Sequence, residues 1–71
     1  MNSIEIGRRL ARLRGDRTQE TVAKQLNISV SALSMYERGE RIPRDNIKIR
    51  IAQFYGEPIS EIFFNSEKHE T

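Results

Sequence analysis

Seventy-one residues without a cysteine hold one small domain at most, near the size below which a core needs disulfides or metals, so stability must come from packed helices. Hydrophobic residues at 37% and charged residues at 31% fit a globular chain and not a disordered one. No apolar run approaches the length of a membrane span, and polar residues interrupt the N-terminus before a signal peptide can form, so a cytosolic, cytoplasmic chain is expected. The net charge of +2 hides an asymmetry: residues 1–50 carry eleven of the twelve Lys and Arg against six acids, while residues 51–71 carry one against four, which favours a polyanionic partner for the first fifty.

Ile6, Leu10 and Leu13 recur at helical spacing, so Ser3–Arg14 reads as an amphipathic helix with Ser3 as its cap and Arg8, Arg9, Arg12 and Arg14 on its other faces. Gly15 and Asp16 stop it, and Thr18 can cap the next. Gln19–Leu26 offers Val22, Ala23 and Leu26 as one apolar stripe, with small Ala23 allowing a neighbour to approach. Asn27, Ile28 and Ser29 leave room only for a sharp turn: Asn27 tolerates the left-handed conformation, Ile28 plugs the corner and Ser29 caps a third helix. In residues 30–38, Leu33 and Tyr36 point inward while Val30, Ser31, Ser34 and Met35 are left outward. Gly39 ends that helix, and residues 40–44 form a loop containing Pro43.

The run IKIRI at residues 47–51 alternates as a half-buried strand would, yet no other part of the chain offers it a partner. Read as a helix over about residues 44–55, it places Ile47, Ile51, Ala52 and Tyr55 on one face, with Asp45 in the first turn, where the helix dipole favours an acid. The helix reading predicts Ile49 and Phe54 off the core. Gly56 then ends the helix, and Pro58, Ile59, Ile62 and Phe63 make a last short one.

The runs TQETVAKQLNIS and SALSMYERGERIP together resemble the Cro and phage-repressor type of helix-turn-helix, the Xre family, over residues 6–63. Asn27 stands where members most often have glycine, and the join between the first two helices is shorter than usual. The resemblance implies an all-α fold, a compact five-helix lambda-repressor-like DNA-binding domain over residues 1–64, with the helix-turn-helix formed by helices two and three. Residues 65–71 would be a flexible polar tail. It further implies a sequence-specific binder of double-stranded DNA, a transcriptional regulator of repressor type, that inserts helix three into the major groove.

On that reading Val30, Ser31, Ser34 and Met35 stand at base-contacting positions. None is an Arg, Gln or Asn, the side chains that bond guanine or adenine in two-pronged fashion, so thymine methyl groups under Val30 and Met35 and readout of DNA shape are expected instead. Thr18 and Gln19, at a helix start, are placed to meet a phosphate, Gln19 matching a family position that does so. Arg38, Arg41 and Arg44 follow the reader and can grip phosphates, with Lys48 and Arg17 as further candidates. An acid beside DNA is repelled, and in the family the residue matching Glu37 pairs with an arginine of the first helix, here Arg12 or Arg14, so Glu37 is expected to be structural.

A palindromic operator read by a homodimer is expected, since one such module reads few base pairs and 71 residues leave no room for a separate dimerisation domain. The apolar surplus of Ile49, Phe54 and Phe64 is the candidate interface, against the blander reading of core or scattered surface residues. An enzyme is disfavoured: the single histidine, His69, lies in the polar tail, and there is no cysteine, no glycine-rich phosphate loop and no spaced pair of acids with a plausible cleft, so neither a metal nor a cofactor is expected. The alternative is an antitoxin-like module whose acidic C-terminal third binds a regulatory protein partner while it also binds its own promoter.

Overall fold

A computed structural model describes residues 2–64, so the polar tail expected at residues 65–71, with His69, lies outside the described residues. Four α-helices follow one another: α1 Ser3–Arg14, α2 Gln19–Leu26, α3 Val30–Glu37 and α4 Asp45–Tyr55. A π-helical turn, Ser60–Phe64, closes the described chain. No strand occurs among the described residues, and the alternating run at 47–51 is helical. Its isoleucines explain why. Ile47 and Ile51 lie one turn apart on the same face and meet the core, whereas a strand there would have left its backbone groups unpaired.

Among the described residues eleven apolar side chains form the core: Ile6 and Leu10 from α1, Val22, Ala23 and Leu26 from α2, Leu33 and Tyr36 from α3, Ile51 and Ala52 from α4, and Ile62 and Phe63 from the last turn. Each large one stabilises the fold by about 1.5–3 kcal/mol relative to leaving it in water. Leu13, Ile28, Ile47, Tyr55 and Ile59 pack half-buried around them. Ile62 and Phe63 are sequence neighbours yet both buried, which the wider winding of the π-turn allows.

The caps fix the order of the helices. Asn2, not the expected Ser3, caps α1: its Oδ1 accepts from the N–H groups of Ile4 at 2.8 Å and Glu5 at 3.3 Å. Ser3 is already helical, and its hydroxyl donates 3.0 Å to the Gly39 carbonyl, tying the start of α1 to the end of α3. Gly39 adopts φ 76°, and a Cβ there would collide with the backbone of Ser3 and Ile4. A second close approach lies one turn along. A Cβ on Gly7 would run into the carbonyl oxygens of Tyr36 and Glu37, so α1 rests on the C-terminal turn of α3 with backbone against backbone.

Candidate nucleic-acid interface

The turn between α2 and α3 is built as its residue types dictate. Asn27 sits in the left-handed region at φ 59°, ψ 45°. The Ile28 N–H donates 3.0 Å to the Ala23 carbonyl, and Ser29 Oγ accepts from the Ala32 N–H at 3.0 Å to cap α3. Arg50 of α4, unremarked in the sequence, adds a further fastening by donating 2.7 Å to the Leu26 carbonyl at the end of α2, where free carbonyls collect. The turn is thereby fastened at the end of α2, at the start of α3 and to α4.

One side of α3 is consumed by the core through Leu33 and Tyr36. On the opposite side Val30 and Ser31 are exposed and Ser34 and Met35 are half-buried, so the four residues proposed from the sequence as base contacts share one accessible face. Val30 is one of the few large apolar side chains left open to solvent.

Beside that face lies a polar hub. Arg14 Nε donates to Glu37 Oε2 at 2.8 Å and Arg14 Nη2 to Glu37 Oε1 at 3.0 Å, a two-pronged pair; a third bond comes from the Gln19 amide, 2.9 Å to Oε1. The Glu37 side chain is 5% exposed and that of Arg14 22%, so the carboxylate is largely covered while the guanidinium keeps an edge in water. The hydrogen bond to Glu37 raises the Arg14 pKa above its ordinary value, against the opposing effect of burial. Of the two arginines expected from the sequence, Arg14 makes the pair; Arg12 is exposed and takes no part. Gln19, expected at a phosphate, is also the link through which α2 reaches Glu37.

Tyr55 closes the hub from α4. Its hydroxyl oxygen is buried without a hydrogen-bond partner. Burial first, and then the negative charge of Glu37, push its pKa up, while Arg17 and Arg14 pull it down. Arg17 lies 5.4 Å from both the Phe54 and Tyr55 ring centroids and donates to the carbonyls of Leu13 and Arg14, so its guanidinium is occupied within the fold. Lys48 is occupied as well, over Phe63 and Phe64 and 3.6 Å from Asp45.

The remaining candidates for phosphate are Thr18 and the arginines after the reader. Thr18 Oγ1 accepts from the Thr21 N–H at 3.1 Å, which leaves the N–H groups of Gln19 and Glu20 as the open donors of the α2 N-terminus. Arg41 and Arg44 are exposed and carry no ion pair among the described residues. Arg38 is different: Glu40 accepts from its Nε and Nη2 at 3.0 Å each. That bond raises the Arg38 pKa and holds the Glu40 carboxyl below the usual carboxylate range.

Of the apolar surplus, Ile49 is 50% and Phe64 56% exposed, while Phe54 is half-buried and packed against the core, edge-on to Tyr55 at 5.0 Å. Ile49 borders an open, mainly apolar groove completed by Ala52, Gly56, Pro58 and Ile59. Among the described residues no group of three or more His, Cys, Asp or Glu is placed to hold a metal, and no helix is long and apolar enough to cross a membrane.

A family model described as helix-turn-helix matches residues 9–62. The chain is 34% identical over 56 residues to the cryptic phage CTXphi transcriptional repressor RstR of Vibrio cholerae, a stretch that covers 79% of this chain and 50% of that protein. This chain therefore spans about half the length of the curated relative it matches. No solved structure matches it at a significant level.

Proposed function

This chain belongs to the helix-turn-helix family of the Cro and phage-repressor type, and from that membership we propose that residues 1–64 form a sequence-specific double-stranded DNA-binding domain that represses transcription. The observation that carries the reading is the divided α3: one side buried through Leu33 and Tyr36, the other presenting Val30, Ser31, Ser34 and Met35. A rigid helix with a free face fits the major groove, and its first residues reach base edges. Val30 and Met35 pack on thymine methyl groups, Ser31 and Ser34 hydrogen-bond, and groove shape supplies further discrimination.

Phosphates are taken by the N-terminus of α2, through Thr18 and the first-turn N–H groups, and by Arg41 and Arg44 beyond the reader. Arg38 joins them only where it leaves Glu40. Two copies on a palindromic operator, joined through Ile49, Phe54 and Phe64, supply the affinity that a single reader lacks. The domain acts in the cytoplasm, beside the DNA it reads, without a cofactor and without catalysis.

Selection of bound duplexes from a random pool tests this, followed by titration of the winner at several salt concentrations. Paired half-sites with thymines under α3 are expected, together with a log–log salt slope that falls by about one unit in Arg41→Ala. Strongly G-rich half-sites would refute the contacts given to Val30 and Met35. Indifference to every duplex at low ionic strength would refute DNA binding altogether.

A further inference from the structure

Three side chains at the outer end of α3 are bonded in series: Glu40 to Arg38 through Nε and Nη2, and Arg38 Nη1 to Ser34 Oγ at 2.7 Å. A guanidinium carries its five N–H bonds in one plane. With one edge taken by Glu40, the direction of Nη1 is set, and it points at Ser34. A hydroxyl has two lone pairs and one proton, and unaided it bonds donors and acceptors alike. Here one lone pair is filled by Arg38, and no described group accepts the Ser34 proton. The nearby positive charge also discourages any approaching N–H donor.

We propose that the Glu40–Arg38 pair holds Ser34 as a hydrogen-bond donor, so that it selects an acceptor on the base edge, thymine O4 or a purine N7 or guanine O6, and rejects the cytosine amine. Glu40 and Arg38 are positioning residues that act through Ser34, and the proposal rests on the reading of α3 as the DNA-reading helix. Glu40 has a second effect: it occupies the cation nearest the reader and so withholds it from phosphate. Specificity is gained at one base pair, and general affinity for DNA is given up.

The test uses the full chain and its selected duplex, with every position replaced in turn by the other three base pairs, at one salt concentration. Ser34→Ala identifies the position it reads by lost discrimination there. The wild type should bind the cytosine replacement at that position on the order of tenfold more weakly. Glu40→Gln should reduce that ratio to the level of Ser34→Ala, bind unrelated duplexes several-fold more tightly and steepen the salt slope by about one unit. Arg38→Lys, which keeps the charge but lacks the fork, should lose the same discrimination.

The double variant Ser34→Ala with Glu40→Gln should discriminate no worse at that position than either alone. Exposed ion pairs hold little stability, so melting curves of the Glu40 and Arg38 variants should match the wild type. Wild-type discrimination in Glu40→Gln, or losses in the two single variants that add in the double, would overturn the series of bonds while leaving DNA binding intact. A wild type that binds no duplex would overturn both.

Discussion

The Glu37 carboxylate accepts three hydrogen bonds, two from Arg14 of α1 and one from Gln19 of α2, while itself standing on α3. Removing it leaves a half-buried guanidinium with only the Arg17 carbonyl, 2.7 Å away, as partner. Glu37→Ala should therefore lower stability by about 2–3 kcal/mol, a fall in melting temperature on the order of 10 °C for a domain of this size. Contacts to DNA should change less than stability does at temperatures where the variant is folded; an unaltered melting curve would count against the structural role. Tyr55 makes the opposite case. Its hydroxyl is buried and unbonded, so Tyr55→Phe should stabilise the fold by roughly 1 kcal/mol in thermal melts. Its pKa is raised in the fold, so the folded chain keeps the phenol neutral where the unfolded chain loses its proton. That contribution is intact below about pH 10 and is lost as pH rises through the folded value, and the alkaline decline in stability should be shallower in Tyr55→Phe.

Between elements, the contact of α1 with α3 depends on a residue with no side chain. Gly7→Ala would drive a methyl group into the Tyr36 and Glu37 carbonyls, and neither can move without breaking the last turn of α3. A loss of about 3 kcal/mol is expected in chemical denaturation, well beyond the normal gain from replacing a helical glycine by alanine. Equal or higher stability would show that α1 and α3 are less tightly apposed. This contact was hard to read in the sequence. Periodicity located the apolar stripes of all four α-helices, and turn chemistry located Thr18, Asn27, Ser29 and Gly56, because those signals are local. Gly7 shows only as an interruption of a helical pattern, and its cause, a backbone 30 residues away, leaves no trace nearby. Ser3 and Asn2 are both good caps, so the choice between them waited on the tie from Ser3 to Gly39. The outward face of α3 followed from the inward pair Leu33 and Tyr36 together with the family resemblance. The partners of Arg17, Arg38 and Arg50 did not follow, and for Glu37 the choice between Arg12 and Arg14 stayed open, because a long flexible cation can satisfy itself in many directions until the fold is known.

At the scale of the whole molecule, a small reader gains affinity chiefly by being joined to a second. One recognition helix contacts few base pairs, and two held on the same operator bind with an effective concentration set by the join and not by the solution. The described surface offers an apolar region suited to the join, Ile49 on the solvent side of α4 with the groove beside it formed by Ala52, Pro58 and Ile59, and Phe64 is exposed as well. None of the proposed base contacts lies on these elements, so the region can be covered without blocking α3. Phe54 contributes less, since Arg17, Tyr55 and the core already hold much of its ring. Ile49→Arg tests the join with little risk to the fold, because the side chain is half exposed and the substitution removes no core contact. If the proposed join is correct, the variant should sediment as a monomer at concentrations where the wild type sediments as a dimer. Its affinity for a full operator should fall on the order of 100-fold while its affinity for an isolated half-site stays the same. A wild type that sediments as a monomer at high concentration, or a variant that keeps full-operator affinity, would mean that the two readers are coupled through DNA alone or through a different surface.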